Sequence, residues 1–135
     1  MEVGEMGDSG CFACGAHNPI GLRLRFEVDG NRCYTSFVPG EVHQSFRGIF
    51  HGGLICTILD EVMGQHLELL GYRALTGRLA VRFKKPIPIG QPVRFVSELI
   101  NRRHRLFQMQ AWAELPDGRV AAEAKAEMML QESEV

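Results

Sequence analysis

The order of two hydrophobic periodicities constrains the fold of this chain more than any other feature. A single segment shows helical spacing and is predicted to run from Gly52 to about Leu70, with Gly71 at its C-cap. Segments with the alternation typical of strands lie on both sides of it, two before and four after. One helix cannot cover both faces of a six-stranded sheet. We therefore predict an α+β fold in which a strongly curved antiparallel sheet wraps around one long central helix, and a second copy covers the remaining surface.

Turn signals separate the predicted strands. Asp29-Gly30 is a hairpin signal, and Pro116-Asp117-Gly118 predicts a tight turn between the last two strands. The last segment is Ala-rich, yet we assign it as a strand because this turn is short and its partner alternates. The predicted strands cover residues 22–28, 33–38, 79–83, 92–100, 105–115 and 119–130.

Length and composition exclude several classes of protein. The 135 residues suit a single domain over 1–135, with residues 1–10 as a loose tail. A formal net charge of −1 disfavours a basic nucleic-acid-binding module. No apolar run approaches the ~20 residues that span a bilayer, and the acidic, Gly-rich N-terminus lacks the layout of a signal peptide. We expect a cytoplasmic protein without nucleic-acid or membrane partners.

The four cysteines favour structural roles. Cys33 and Cys56 lie in periodic segments and are predicted to be small buried hydrophobic residues. Cys11 and Cys14 form a C-x-x-C with His17 three residues further on, whereas a structural zinc site needs four ligands. We interpret this segment as a tight turn and predict no metal; a metal site built on Cys11, Cys14 and His17 is the alternative.

Two features of the sequence are candidates for catalytic roles. His51-Gly52-Gly53 lies where the loop becomes the helix, and the unpaired N–H groups at a helix start can hold a developing oxyanion. A plain helix start explains the same residues equally well. Asp60 lies in the apolar stretch of the helix, where a carboxylate seldom occurs without a partner or a chemical purpose. It is a candidate general base, or else it faces water; Glu61 turns to a different side of the helix.

Three motifs resemble one family. HGGLICTILDEVMG resembles the signature of hotdog-fold thioesterases of the phenylacetic-acid-pathway type, CFACGAHNPIGL resembles the start of one branch of that group, and FKKPIPIGQPV resembles the strand that follows the helix. The resemblance implies hydrolysis of an acyl-CoA thioester without a cofactor. It implies Asp60 as the catalytic carboxylate, Gly52 as the N–H that polarises the carbonyl, His51 as support for loop and substrate, and Thr76 beside the carboxylate and its water.

Two positions depart from the family pattern. Thr76 has the opposite parity to Leu79, Val81 and Phe83, so a bulge or an early strand start is needed. Arg47-Gly48 stands where the family has Pro-Gly, which leaves the shape of the pocket mouth open.

The spacing of Gly52 and Asp60 predicts a shared site. The two lie eight residues apart, which is ~12 Å along a helix axis, too far for both to meet one reacting carbonyl. Two antiparallel helices across a two-fold axis solve this, with His51 and Gly52 from one chain and Asp60 and Thr76 from the other. We therefore expect a homodimer or a dimer of dimers.

Further residues are candidates for binding the acyl-CoA substrate. Arginine and lysine suit the CoA phosphates, although charged residues also protect strand edges from aggregation. A non-catalytic hotdog domain that binds or senses acyl-CoA is the alternative function; a dehydratase or hydratase would need motifs that are absent. The candidate substrate-binding residues are Gly53, His43, Arg82, Lys84, Arg102 and Arg103.

Overall fold

A computed structural model describes residues 10–131 as one helix held by a six-stranded antiparallel sheet. This is the predicted hotdog architecture, with two strands before the helix and four after it. The predicted loose tail lies outside the described residues except for Gly10. The elements are β1 (Glu27–Asp29), β2 (Arg32–Phe37), a short 3₁₀ helix (Glu41–His43), α1 (Gly52–Leu69), β3 (Ala74–Phe83), β4 (Val93–Arg103), β5 (Leu106–Glu114) and β6 (Val120–Leu130).

The strand order places β3 at an open edge. The order across the sheet is β1-β2-β4-β5-β6-β3, so the chain leaves β2, passes through α1 and reaches the far edge before it folds back. β3 is ten residues long, and within residues 10–131 it pairs only with β6. The opposite edge, β1, has three residues.

The core lies between α1 and the concave face of the sheet. The last strand is Ala-rich because its inward positions must leave room for the helix: Ala122, Ala124 and Ala126 are buried against the core. The assignment of this segment as a strand is confirmed. The helix buries Ile55, Ile58, Leu59, Val62, Met63, His66 and Leu67.

The first predicted strand was wrong in part. Leu22, Leu24 and Phe26 are buried at alternating positions, but only Glu27–Asp29 is strand. Arg23 has φ 54°, which interrupts the extended conformation. The Leu22 N–H donates to the Phe12 carbonyl (2.8 Å) and the Leu24 N–H to the Ala13 carbonyl (3.0 Å), so the backbone here pairs with the preceding loop.

The predictions at the helix end and for the cysteines had mixed outcomes. Gly71 follows the end of α1 with φ 98°, and its N–H donates to the Glu68 carbonyl, so the predicted glycine stop is confirmed. Cys33 is buried as predicted, whereas Cys56 is half-exposed, which corrects its assignment to the core. Within residues 10–131, no helix is both long and apolar enough to span a membrane.

Candidate active site

Among the described residues, the start of α1 presents one backbone donor without a partner. His51 is the N-cap, and its Nδ1 accepts a hydrogen bond from the Gly53 N–H at 2.9 Å. In this geometry Nδ1 is an acceptor, and Nε2 is the ring nitrogen without a partner among the described residues. No hydrogen bond between residues 10–131 uses the Gly52 N–H, which lies at the positive end of the helix. Of the two glycines, Gly52 is thus the one with a free donor for an anionic oxygen.

The loop before α1 is held by its own hydrogen bonds. His43 accepts the Gly40 N–H at Nδ1 (2.9 Å), and its carbonyl accepts the His51 N–H (2.9 Å). The His43 ring also packs edge-on against Phe37, with centroids 4.9 Å apart. These contacts give His43 a role in fixing His51 and leave its Nε2 as its only free ring nitrogen.

Thr76 on β3 contacts Asp60, which lies eight residues after Gly52 on α1. The Thr76 Oγ1 donates to the Asp60 Oδ1 at 2.6 Å. β3 begins at Ala74, and its register with β6 shifts between Thr76 and Arg78. The parity of Thr76 required either an early strand start or a bulge, and the structure has both. The second carboxylate oxygen of Asp60 remains available because Thr76 occupies only Oδ1.

One chain does not bring these two pairs together. Gly52, Cys56 and Asp60 lie at intervals of four residues on a half-exposed stripe of α1. The eight residues between Gly52 and Asp60 correspond to ~12 Å along the axis. Within the chain, Gly52 adjoins His51 and Asp60 bonds Thr76.

A cavity of about 340 Å³ opens beside Gly52. Phe83 is half-exposed there, and a Cβ added to Gly52 would lie 3.4 Å from its Cζ. A larger hollow of about 600 Å³ is lined by β3, β5 and β6 around Trp112 and includes no residue of α1, so this donor does not line it. The smaller cavity is lined by Ser45, Ile49, Phe50, Gly52, Ile55, Phe83, Lys84, Lys85, Pro86 and Ile87.

The candidate cations fall into two separate groups. Lys84 lies at the Gly52 cavity and forms an exposed ion pair with Glu123 (3.7 Å), and Arg82 lies opposite Glu123 in the sheet. Arg102 instead lies at the β4–β5 turn, with its guanidinium 4.9 Å from the Tyr72 ring beyond the other end of α1. Arg103 is its exposed neighbour on β4. Within one chain, Arg102 and Arg103 therefore lie far from Gly52.

The comparison with protein families decides the classification. A family model described as the thioesterase superfamily matches residues 47–122, more than half of the chain. The chain belongs to the thioesterase superfamily. This match covers α1 and its HGG start, and it confirms the family that the motifs indicated.

Solved structures with the same fold include other members of this superfamily. One thioesterase superfamily protein superposes with a TM-score of 0.83 at 20% identity, over 88% of this chain and 62% of its own. The chain thus spans less than two thirds of that neighbour. The smu.793 protein of Streptococcus mutans, solved bound to acetyl CoA, gives 0.75 at 15% identity over 80% of this chain and 88% of its own. The PaaI protein of the E. coli phenylacetic acid degradation operon gives 0.77 at 11% identity, over 82% and 81%.

This thioesterase superfamily member also has a cluster of possible metal ligands beside the site, which its sequence did not predict. The ligand atoms of Cys11, Cys14 and Glu61 all lie within 4.8 Å of one another. His17, the third residue of the alternative metal set, is exposed and does not belong to this cluster. Burial raises the pKa of the Cys14 thiol, and it also raises the pKa of the Glu61 carboxyl. The sequence contained one indication of this cluster, because helical geometry predicts that Glu61 faces a different side of α1 from Asp60.

Phe83 and Lys85 were also missing from the predicted site. The alternation of β3 places Phe83 with the core residues Leu79 and Val81, but the side chain reaches the end of the strand and contacts the site instead. The signal lies in the sequence FKKP, in which an aromatic residue and two lysines precede the proline that ends the strand.

Proposed function

We propose that this protein hydrolyses an acyl-CoA thioester to the free acid and CoA. The observation that carries the proposal is the presence, on one helix, of a carboxylate oriented by a hydroxyl (Asp60 and Thr76, 2.6 Å) and of a free N–H donor at Gly52. Membership of the thioesterase superfamily supports this reaction. The acetyl CoA bound to the Streptococcus mutans neighbour supports CoA as the carrier.

The chemistry requires one base or nucleophile and one oxyanion donor. In the first route, Asp60 accepts a proton from water as the water oxygen attacks the acyl carbon. In the second, the carboxylate attacks and water then hydrolyses the resulting anhydride. Either route forms a negative oxygen that the Gly52 N–H stabilises, and then breaks the C–S bond to release CoA. Thr76 holds Oδ1, so Oδ2 is the oxygen that reacts.

The two halves of the site come together across a homodimer in this proposal. Antiparallel packing of two α1 helices about a two-fold axis brings Gly52 of one chain to Asp60 of the other. The half-exposed stripe with Gly52, Cys56 and Asp60 provides a surface for close helix contact. The open edge of β3, with Leu75 and Phe83 both about half-exposed, adds apolar surface that such a contact would cover.

The cavity beside Gly52 is the proposed entrance for the thioester. Its apolar lining suits an acyl or pantetheine chain, and Lys84 and Lys85 at its mouth suit phosphates. Arg82, Arg102 and Arg103 remain candidates for the nucleotide. Replacing Arg102 and Arg103 together with Ala is expected to raise KM and leave kcat nearly unchanged, measured by release of CoA at two salt concentrations.

Subunit complementation tests the shared site. Gly52→Pro removes the N–H at the first helical position, and His51 (ψ 129°) already has the extended conformation that precedes proline. This variant and Asp60→Asn are each expected to be inactive. After joint unfolding and refolding, half the dimers are mixed and each has one intact site of two, so about a quarter of wild-type activity returns.

Control variants distinguish an incorrect mechanism from variants that are inactive because they do not fold or assemble. Gly52→Ala keeps the N–H and places its Cβ 3.4 Å from Phe83, so it is expected to remain far more active than Gly52→Pro. Both inactive variants must be folded dimers by circular dichroism and sedimentation. No recovery after verified exchange would exclude the shared site. Binding of acyl-CoA without any hydrolysis across short, medium, long and aryl chains would favour a binding domain instead.

A further inference from the structure

The loop of residues 10–24 carries a motif that the proposed hydrolysis does not use. It closes on itself through the Gly15 N–H, which donates to the Cys11 carbonyl at 2.8 Å. Asn18 holds it further, because its side chain donates to the Gly10 carbonyl and accepts the Ile20 N–H, both at 3.0 Å. This organised loop places the two thiols of the C-x-x-C against one residue of α1.

That residue is Glu61. The Cys11 Sγ lies 3.9 Å from the Glu61 Oε2, and Cys14 is 3% exposed. The Gln65 Nε2 donates to the same carboxylate oxygen at 3.1 Å. The other side-chain atom of Gln65, Oε1, is buried without a hydrogen-bond partner among the described residues. Two thiols and a carboxylate thus occupy one small region, and the Gln65 carboxamide adjoins it through its bond to that carboxylate.

No positive charge of the described chain balances this cluster. None of the ion pairs between residues 10–131 involves Glu61. A carboxylate taken out of water is costly unless it is paired or coordinates a metal. Here its closest neighbours, Cys11 and Cys14, are themselves acids. A divalent cation would convert both thiols into thiolates and leave a net charge of about −1 on the group.

The geometry and the donor set select the kind of cation. In a tetrahedral zinc site, bonds of ~2.3 Å to sulfur and ~2.0 Å to oxygen separate neighbouring ligand atoms by about 3.4 to 3.8 Å. The three ligand atoms lie within 4.8 Å of one another, so small side-chain rotations reach that spacing. Thiolates favour zinc, whereas Mg²⁺ and Ca²⁺ prefer oxygen ligands alone.

We propose that Cys11, Cys14 and Glu61 bind Zn²⁺, and that the ion fastens the loop of residues 10–24 to α1. The fourth position is taken by the Gln65 Oε1 or by water. The site revises the expectation of no metal and replaces His17 by Glu61 as the third ligand. Since Glu61 adjoins Asp60 but faces away from Thr76, the ion acts on the position of the helix and does not take part in the hydrolysis.

Metal titration of the reduced, chelator-treated full chain tests this site. Co²⁺ serves as the probe, because thiolate ligation gives a charge-transfer absorption that Zn²⁺ then removes. One equivalent per chain is expected. Cys11→Ser and Glu61→Gln are each expected to weaken Zn²⁺ binding at least about tenfold, and His17→Ala, at an exposed position of the same loop, is the matched control that binds normally. Zn²⁺ should raise the melting temperature of the wild type and of His17→Ala, but not of Cys11→Ser.

Several outcomes would overturn the proposal. The titration of the wild-type protein does not depend on whether any variant folds. Absence of the charge-transfer band or of stoichiometric binding therefore rejects the site. Binding that survives Cys11→Ser but is lost in His17→Ala would assign the metal elsewhere. A mass decrease of two hydrogens under mild oxidation, with no metal bound by the reduced chain, would identify Cys11 and Cys14 as a redox pair.

Discussion

Two short hydrogen bonds join side chains of α1 to hydroxyl groups on the sheet, and they differ in exposure. Asp60 accepts from the Thr76 hydroxyl at 2.6 Å on a surface open to solvent. His66, less than two turns further along, bonds the Ser97 hydroxyl at 2.7 Å, and both residues have no exposed surface. A titratable group of α1 therefore bonds a hydroxyl of the sheet twice, once at the surface and once in the core.

The buried pair is tied to the helix backbone through the serine. The Ser97 hydroxyl donates to the Val62 carbonyl at 3.1 Å, so the His66 Nδ1–H is the donor to Ser97. The His66 Nε2 is then a buried acceptor without a partner among the described residues. No substrate can reach this pair. The comparison teaches that exposure, rather than residue type, separates a candidate catalytic pair from a structural one.

The largest expected effect is that of Asp60→Asn. The amide keeps the shape of the carboxylate but cannot accept the proton, so kcat/KM should fall at least about a hundredfold, or ~2.7 kcal/mol. The melting temperature should stay nearly unchanged, because Asp60 is half-exposed. Thiol release from an acyl-CoA panel and circular dichroism measure the two quantities. A folded variant with nearly full activity would make Asp60 structural.

Ser97→Ala should show the opposite pattern. It leaves the His66 Nδ1–H buried without its acceptor, which costs about 1–3 kcal/mol of unfolding free energy. Activity per folded molecule should not change. Urea denaturation measures the loss, with Ser36→Ala on the exposed side of β2 as a matched control. A catalytic defect in Ser97→Ala without loss of stability would contradict the comparison.

Thr76→Ala should have a smaller effect on catalysis than Asp60→Asn. The hydroxyl only orients the carboxylate, so a loss of about tenfold in kcat, ~1.4 kcal/mol, is expected. Stability should change by no more than about 0.5 kcal/mol, because Thr76 is exposed. Thr76→Ser keeps the donor and should retain most of the activity. A loss greater than that of Asp60→Asn would reverse the two assigned roles.

The sequence predicts elements and motif residues better than it predicts partners. The helix and the strands after it follow from local periodicity, although the third predicted strand begins earlier, at Ala74, and the first is strand only over Glu27–Asp29. The alternation of residues 22–26 reports burial, yet it cannot distinguish pairing with a strand from pairing with a loop. The contact between Cys11 and Glu61 joins residues 50 positions apart, and no local pattern encodes it. For the same reason, the short spacing between His17 and the C-x-x-C pointed to a residue that does not belong to the cluster.

The smallest expected effect is the pH dependence that the buried pair gives to stability. Burial lowers the pKa of His66 below its usual 6.5, and this outweighs the opposite effect of Glu98. As pH falls below about 6.5, the unfolded chain binds a proton that the folded chain does not, so stability decreases until the folded pKa is reached. One such group contributes at most about 0.7 kcal/mol between pH 7 and pH 6. His66→Asn keeps a donor near Nδ1 without this titration, so its unfolding free energy should fall less over the same interval. Urea denaturation of both proteins at the two pH values measures the difference, and identical pH dependence would show that His66 is not held neutral in the core.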